Sequence, residues 1–201
     1  MKAKHFYLLL NKSEQQKPTV SFMWEEKLQL PLDYDWKSVL DFKFKKVCDN
    51  KVRQFNFKLL HNILPFKDNL YKWKIAPDNI CSTCKQFESS LHILLKCQRT
   101  TPFWQRISSV IRNWFKTEFL IEEKNIVTGY KISDPKFTLI NLLLVYAQYA
   151  IYKAYILNQF KNKPFHSLFV WLIFKNDFRN YVKYKYKKDQ DTLKDLDIYL
   201  C

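Results

Sequence analysis

From Trp36 onward, apolar residues recur at helical spacing. Trp36, Val39, Leu40, Phe44 and Val47 fall mostly three or four positions apart with lysines between them, which predicts an amphipathic helix with Asp35 at its N-cap. Val52, Phe55, Leu59, Leu60 and Ile63 form a second stripe. It opens after Asp49 and Asn50 and is expected to end at Pro65, because proline disfavours helix at the residue before it. A short helix is expected over Asp68 to Trp73, ahead of Pro77. Trp104, Ile107, Ile111, Trp114 and Phe115 mark another amphipathic helix, with Gln105, Arg106, Arg112 and Lys116 facing outward. Asn141 to Phe160 is apolar nearly all round and reads as a long buried helix; a last helix is expected from Phe165 to Tyr184. The least polar stretch, Phe137 to Tyr152, contains Asn141 and Gln148 and is shorter than the roughly 20 residues of a membrane span, so no membrane partner is expected.

The remaining segments break this pattern. Residues 1–35 carry weak periodicity, a polar patch at Asn11 to Lys17, and Pro18 and Pro31; they read as an irregular N-terminal arm with a turn or two of helix around Trp24 to Leu30. Residues 117–136 hold Gly129 and Pro135 and read as a loop. Residues 36–185 form the expected helical domain, and 186–201 a polar tail. Composition agrees with the helical reading: Gly129 is the single glycine in 201 residues. Sheet proteins rich in tight turns need many positive-φ positions, which glycine supplies at least cost. The expected fold is mostly α.

Lysine and arginine number 34 against 19 aspartates and glutamates, a net charge of +15. Such a surplus favours polyanionic partners, although lysine-rich composition also follows from the codon usage of an AT-rich genome. The N-terminus has only a very short apolar run and does not read as a secretory signal. Five cysteines do not suit a fully paired disulfide framework, and an intracellular, reducing compartment (cytoplasm, nucleus or both) is expected.

Three of those cysteines crowd around a histidine in CSTCKQFESSLHILLKC. Two residues separate Cys81 from Cys84, seven separate Cys84 from His92, and four separate His92 from Cys97. Thiolates and imidazole in a set of four suit tetrahedral zinc, and four protein ligands leave no open position for a reacting water. The expectation is one structural Zn²⁺ in a Cys-Cys-His-Cys knuckle, 81–97, inserted between helices. The bland alternative makes the cysteines buried small hydrophobes and His92 a satisfied core histidine. His92 and Cys97 lie five positions apart, about 140° round an ideal helix, so they cannot share an α-helical face. Either a helix starting near Ser90 has unwound by Cys97, or His92 precedes the helix.

The order of features around this cluster resembles the zinc-binding C-terminal domain of reverse transcriptases from non-LTR retrotransposons, the long interspersed elements. KVRQFNFKLLHNILPFKDNLYKWKI precedes the knuckle at Lys51 to Ile75; Glu88 and His92 follow the cysteine pair; Trp104 follows the last cysteine. An apolar helix ending in Ile-Tyr-Lys spans Asn141 to Lys153, and a Trp-Glu pair stands upstream at Trp24 and Glu25. The resemblance covers roughly Phe22 to Lys185. It implies a helper domain that holds template RNA or target DNA for its polymerase. The aspartate pair that binds catalytic metals in such polymerases has no counterpart: no adjacent Asp-Asp occurs in the chain. The expected role is therefore non-catalytic, with no catalytic residues, in a detached part or decayed copy of a longer element.

Candidate nucleic-acid contacts follow from cations interleaved with aromatics, which suits non-sequence-specific binding of RNA or single-stranded DNA. They are Lys43, Lys45, Lys46, Lys51, Arg53 and Lys58 beside Phe42, Phe44 and Phe57; Lys67, Lys72 and Lys74 beside Tyr71 and Trp73; and Lys183 and Lys185, with Lys187 and Lys188, among Tyr181, Tyr184 and Tyr186. His61 and His166 lack a nearby nucleophile pattern, and Cys48 and Cys201 lack a reactive-thiol context. Two other readings remain: a zinc-stapled scaffold docking on the missing polymerase region, and an element relic without function.

Overall fold

The computed structural model describes residues 19–116, 120–131 and 135–185. Among these, regular structure is helical: α1 (Thr19–Leu28), α2 (Trp36–Asp41), a π-helical turn at Phe42–Lys46, α3 (Asn50–Leu60), α4 (Lys67–Lys72), a second π-helical turn at His92–Lys96, α5 (Thr101–Phe115), α6 (Glu123–Thr128), α7 (Pro135–Lys161) and α8 (Ser167–Lys185). No strand occurs among the described residues; Ile80 and Phe87 make an isolated antiparallel bridge. The mostly α expectation holds, with the Cys–His segment set between helices α4 and α5.

The backbone divides into two compact units, one ending at Trp36 and the other beginning at Lys37. In the first, α1 is a full ten-residue helix, more than the turn or two expected there. The Trp36 indole N–H donates to Glu25 Oε1 at 2.6 Å, and the Tyr34 ring meets the Trp36 ring edge-on. Residues 1–18 and the expected polar tail, with Lys187, Lys188 and Cys201, lie outside the described residues.

The second unit is built around α7, which packs against α3, α5, α6, α8 and the second π-helical turn. Leu142 to Ala147, Ala150, Ile151, Ala154 and Tyr155 are all buried, which explains why the sequence shows no polar face there. A helix apolar on all sides belongs in a core. Its length and hydropathy also match a membrane span, but 72% of its most apolar stretch is buried by the protein itself. Tyrosines at every third position, 146, 149, 152 and 155, wind round α7. Tyr146 meets Phe178 and Tyr181 of α8, Tyr149 and Tyr152 meet Phe55 of α3, and Tyr155 meets Phe66. Lys153 adds an ion pair to Asp177 of α8 at 2.8 Å. On α5 the stripe Phe103, Trp104, Ile107, Val110 and Ile111 is buried while Gln105, Arg106 and Arg112 face out. Each fully buried side chain of this kind contributes about 1.5–3 kcal/mol.

Helix ends depart from the expected boundaries for local reasons. Asp49 caps α3, which starts at Asn50, accepting from Lys51 N at 2.7 Å and Val52 N at 3.4 Å. Its end, however, is made by Asn62 at φ 51°, with Asn62 N donating to Leu59 O and Ile63 N to Lys58 O, both at 2.9 Å; Pro65 lies beyond. Asparagine tolerates the left-handed region and can replace a C-terminal glycine. Gln29, Lys74, Lys85, Lys116 and Asn162 also adopt positive φ, so this glycine-poor chain turns with polar residues instead. Residues 117–136 are less irregular than expected: α6 forms within them, and Pro135 starts α7 rather than preceding it, since proline suits a first helical turn.

The one glycine sits where no other residue fits. Gly129 has φ 75° and ψ −172°, a region open essentially to glycine alone. A Cβ there would lie 2.9 Å from Asn141 Oδ1. That side chain grips the next residue, accepting from Tyr130 N at 2.7 Å and donating to Tyr130 O at 2.8 Å. Gly129→Ala is therefore expected to lower unfolding free energy by about 2–3 kcal/mol in urea titrations. A change below about 0.5 kcal/mol would mean that this turn is not fixed as described.

Candidate metal centre

The chain enters the site from the end of α3. Asn62 Oδ1 accepts from Ser90 Oγ at 3.2 Å, and the Asn69 amide donates to Asn62 O and Leu64 O, both at 2.8 Å. The knuckle then forms through local bonds. Asp78 Oδ1 accepts from Ile80 N at 2.9 Å and from Lys67 Nζ at 2.9 Å, which holds its carboxyl below the usual range. Cys81 N donates to Gln86 O at 2.8 Å, and Lys85, at φ 57°, returns its N–H to Cys81 O at 2.9 Å. Ser89 Oγ receives His92 N at 3.1 Å and starts the turn that carries the histidine.

The first of the two sequence alternatives holds, with a π-helical turn as the added detail: helix starts at Ser90 and has ended by Cys97, whose backbone is extended (ψ 132°). In between it widens into the π form over His92–Lys96, and Cys97 N donates to His92 O at 2.7 Å. A bond from residue i+5 back to residue i brings positions five apart to the same side. His92 and Cys97 thus reach the same side, with the widened turn closing at Lys96 and Cys97 leaving the helix. Beyond Cys97 its carbonyl accepts from Thr100 N at 2.8 Å and Thr101 N at 3.1 Å, turning the chain into α5. Trp104 Nε1 ties α5 back to the turn through Leu94 O at 2.7 Å.

The ligand atoms of Cys81, Cys84, His92 and Cys97 all lie within 4.8 Å of one another. Cys97 Sγ is 4.0 Å from Cys81 Sγ and 3.7 Å from Cys84 Sγ, and all three thiols are free. A tetrahedron with zinc–sulfur bonds of about 2.3 Å has edges of about 3.8 Å. His92 Nε2 is buried with no hydrogen-bond partner among the described residues. A buried imidazole nitrogen without a partner, on a ring gathered with three thiols, suits a ligand position. The donors fit a metal ion.

The electrostatics favour the ligand forms in part. Burial pushes the His92 imidazolium down, helped by the cations Arg99 and Lys96, so the ring is neutral and able to coordinate. Burial raises the Cys81 thiol, but the backbone N–H groups of Cys84 and Thr83, with Arg99, outweigh it and hold the thiol below its ordinary value. Cys97 is pushed up to about 11, chiefly by burial. Its thiolate therefore needs the charge of a metal to form at neutral pH. Gln98 N donates to Cys84 Sγ at 3.3 Å, a bond that also favours thiolate.

Two surrounding groups were not singled out for these roles in the sequence. Arg99 places Nη2 3.6 Å from Cys81 Sγ and lies 4.5 Å over the Phe165 ring, so a cation faces a ligand set of three thiolates. Glu88 is buried; its Oε1 accepts from Tyr155 Oη at 2.6 Å and Lys67 N at 3.2 Å, while Glu88 N donates to Asn79 O at 2.9 Å. One carboxylate thus joins the knuckle, the start of α4 and the central helix α7. The signal for Arg99 was its position two residues after the last ligand; nothing in sequence pairs Glu88 with Tyr155.

The basic candidates do not form one equivalent set. Lys43 is buried, with its ammonium pushed down by burial to about 7, so it cannot lie on a phosphate-binding surface. Arg53 is half-buried and engaged with Asn50 Oδ1, Phe44 O and Cys48 O, bracing the first π-helical turn. Lys67 has a side chain only 18% exposed and spans Asp78 and Ile80 O. These three are structural cations, because the chain around each supplies carbonyls or burial. Lys45 pairs with Asp41 at 2.7 Å. Lys46, Lys51, Lys58, Lys72, Lys74 and Lys183 are exposed, and Lys185 is exposed with Nζ 3.0 Å from Tyr181 Oη. Of the aromatics, Phe42 and Tyr181 are buried, whereas Phe57, Tyr71, Trp73 and Tyr184 are exposed. Phe57 stacks on His61 at 4.0 Å, and His61 Nδ1 lies 2.9 Å from Phe57 O. His166 Nδ1 accepts from Phe169 N and caps α8.

Residues 32–104 match the model of a family described as zinc-binding in reverse transcriptase. That segment carries a reverse-transcriptase-associated zinc-binding domain, running from the approach to α2 to Trp104. Comparison with curated proteins and with solved structures found no match.

Arg99→Ala is expected to weaken metal affinity about tenfold in a competition titration against a chromophoric chelator, as loss of an outer-shell partner does. Lys161→Ala, exposed in the last turn of α7, serves as the control and should leave affinity unchanged. Equal affinities for the Arg99 variant and the parent would remove the guanidinium from the site's electrostatics.

Proposed function

We propose that the chain is a non-catalytic C-terminal module of a non-LTR retrotransposon reverse transcriptase, stapled by one structural zinc ion and holding RNA or single-stranded DNA without sequence preference. The observation that carries this reading is the convergence of Cys81, Cys84, Cys97 and the orphaned His92 Nε2 inside the segment that matches the family. Three thiolates and an imidazole saturate tetrahedral zinc, leaving no position for substrate, so the ion's role is to fold the chain. Reduced thiols of this kind suit an intracellular setting.

The surface beside the staple supports the nucleic-acid role. Tyr71 is 49% and Trp73 47% exposed, and they alternate with exposed Lys72 and Lys74 just before the knuckle. Aromatic faces for bases and ammonium groups for phosphates are the components of single-strand binding. Lys46, Lys51 and Lys58 are further exposed cations, on the first π-helical turn and α3. A second reading, a scaffold docked on the polymerase region, is favoured by one observation: Leu168 and Leu172 stand four apart on α8, 57% and 54% exposed.

Purified protein is expected to contain one equivalent of zinc, and chelation to reduce its helical circular dichroism; less than about half an equivalent would count against the staple. Mobility shifts with single-stranded RNA should weaken steeply between about 50 and 200 mM salt, because phosphate contacts release counterions. Lys72→Ala with Lys74→Ala should reduce both affinity and salt slope. No binding at low salt would sink the nucleic-acid role and leave the scaffold.

A further inference from the structure

A cavity of about 450 Å³ opens between the start of α3, the middle of α7 and the last turns of α8. Its volume lies within the roughly 300–1,000 Å³ of small-ligand sites. None of the four metal ligands lines it. Tyr146 is on its wall: the residue is 1% exposed, and its Oη has no hydrogen-bond partner among the described residues. Burial holds this phenol well above its usual range, with Asp49, Tyr181, Cys48 and Asp177 adding to the effect, so the hydroxyl keeps its proton. It can both donate and accept. A buried hydroxyl without a partner is unfavourable, and a ligand atom supplying one removes that penalty.

The charges on the walls balance. Asp49 and Asp177 face Lys51 and Lys153, and Lys153 Nζ is fixed between the two Asp177 oxygens at 2.8 and 3.1 Å. Balanced walls suit a neutral polar ring better than a phosphate group, which would meet both carboxylates. Lys51 is exposed and stands at the rim, available to an anion outside. Tyr184 also lines the cavity while 71% exposed, an aromatic face open to stacking, and the Asn180 amide nearby offers both donor and acceptor.

We infer that this cavity takes one nucleotide unit, its base placed against Tyr146 and Asn180 and stacked on Tyr184, with its phosphate outside beside Lys51. The choice of ligand class rests on the proposed strand-binding role and deepens it. An unstacked residue of a single strand and a free nucleoside monophosphate offer the same chemistry. Stacking an unpaired base on an aromatic side chain tolerates any base and is a usual component of single-strand binding.

The test combines fluorescence anisotropy with a short labelled single-stranded RNA and NMR titration with adenosine and uridine monophosphates. The protein is the full chain, as parent, Tyr146→Phe and Tyr184→Ala. Tyr146→Phe should weaken strand binding about five- to tenfold through one lost hydrogen bond. Tyr184→Ala should weaken it about tenfold through lost stacking, with the salt slope unchanged in both. Tyr184 is exposed, so its variant keeps the test decisive if Tyr146→Phe folds poorly. If strands bind and both variants match the parent, the pocket inference falls while the strand-binding role stands. Mononucleotide binding that depends on Tyr146, without strand binding, upholds the pocket and removes the strand role. Binding of neither ligand overturns both.

Discussion

The site depends on a problem of helical phase. Four ligands must converge, and the third and fourth lie five residues apart, a separation that an α-helix points in divergent directions. The protein meets this by widening one turn, so that Cys97 N reaches back to His92 O. The two flanking halves of the segment then fall into place around that turn. The Cys81–Cys84 knuckle approaches from one side and α5 leaves on the other, anchored by Trp104 on Leu94 O. A π-helical turn is rarer than an α-helical one and frequently occurs at functional sites. Here it brings two ligands to the same side.

The Cys–His segment matters to the rest of the fold because it is wired into the core as well as bonded within itself. Glu88 carries the connection: its carboxylate takes the Tyr155 hydroxyl from the middle of α7 and the first N–H of α4. Hydrogen bonds to a buried carboxylate are worth about 1.5–3 kcal/mol each, more than neutral ones. The tyrosine ladder on α7 then relays position to α3 and α8 through ring contacts at each third residue. Ordering the knuckle and packing the central helix are thereby parts of one structure.

Much of this was legible in sequence, and the misses are physical. The stripes of α3 and α5, the buried character of α7 and the four ligands follow from spacing and residue type. The π-helical turn does not, because periodicity arguments presuppose 3.6 residues per turn. Lys43 and Lys67 looked like surface cations because charge is visible in sequence and burial is not. Lys43 is enclosed within the first π-helical turn, and Lys67 is recruited by Asp78 to brace the knuckle. The family match ends at Trp104, so the core helices α7 and α8 rest on packing and chemistry alone. The tyrosines at every third position of α7 were readable but lacked meaning until their partners on three other segments were in place.

The central claim is that Cys81, Cys84, His92 and Cys97 together complete the coordination of one zinc ion. X-ray absorption at the zinc edge of the purified chain tests it most directly. The account predicts three sulfur neighbours at about 2.3 Å and one nitrogen at about 2.0–2.1 Å, with no further ligand. A first shell of oxygen and nitrogen, or one short of three sulfurs, would contradict it.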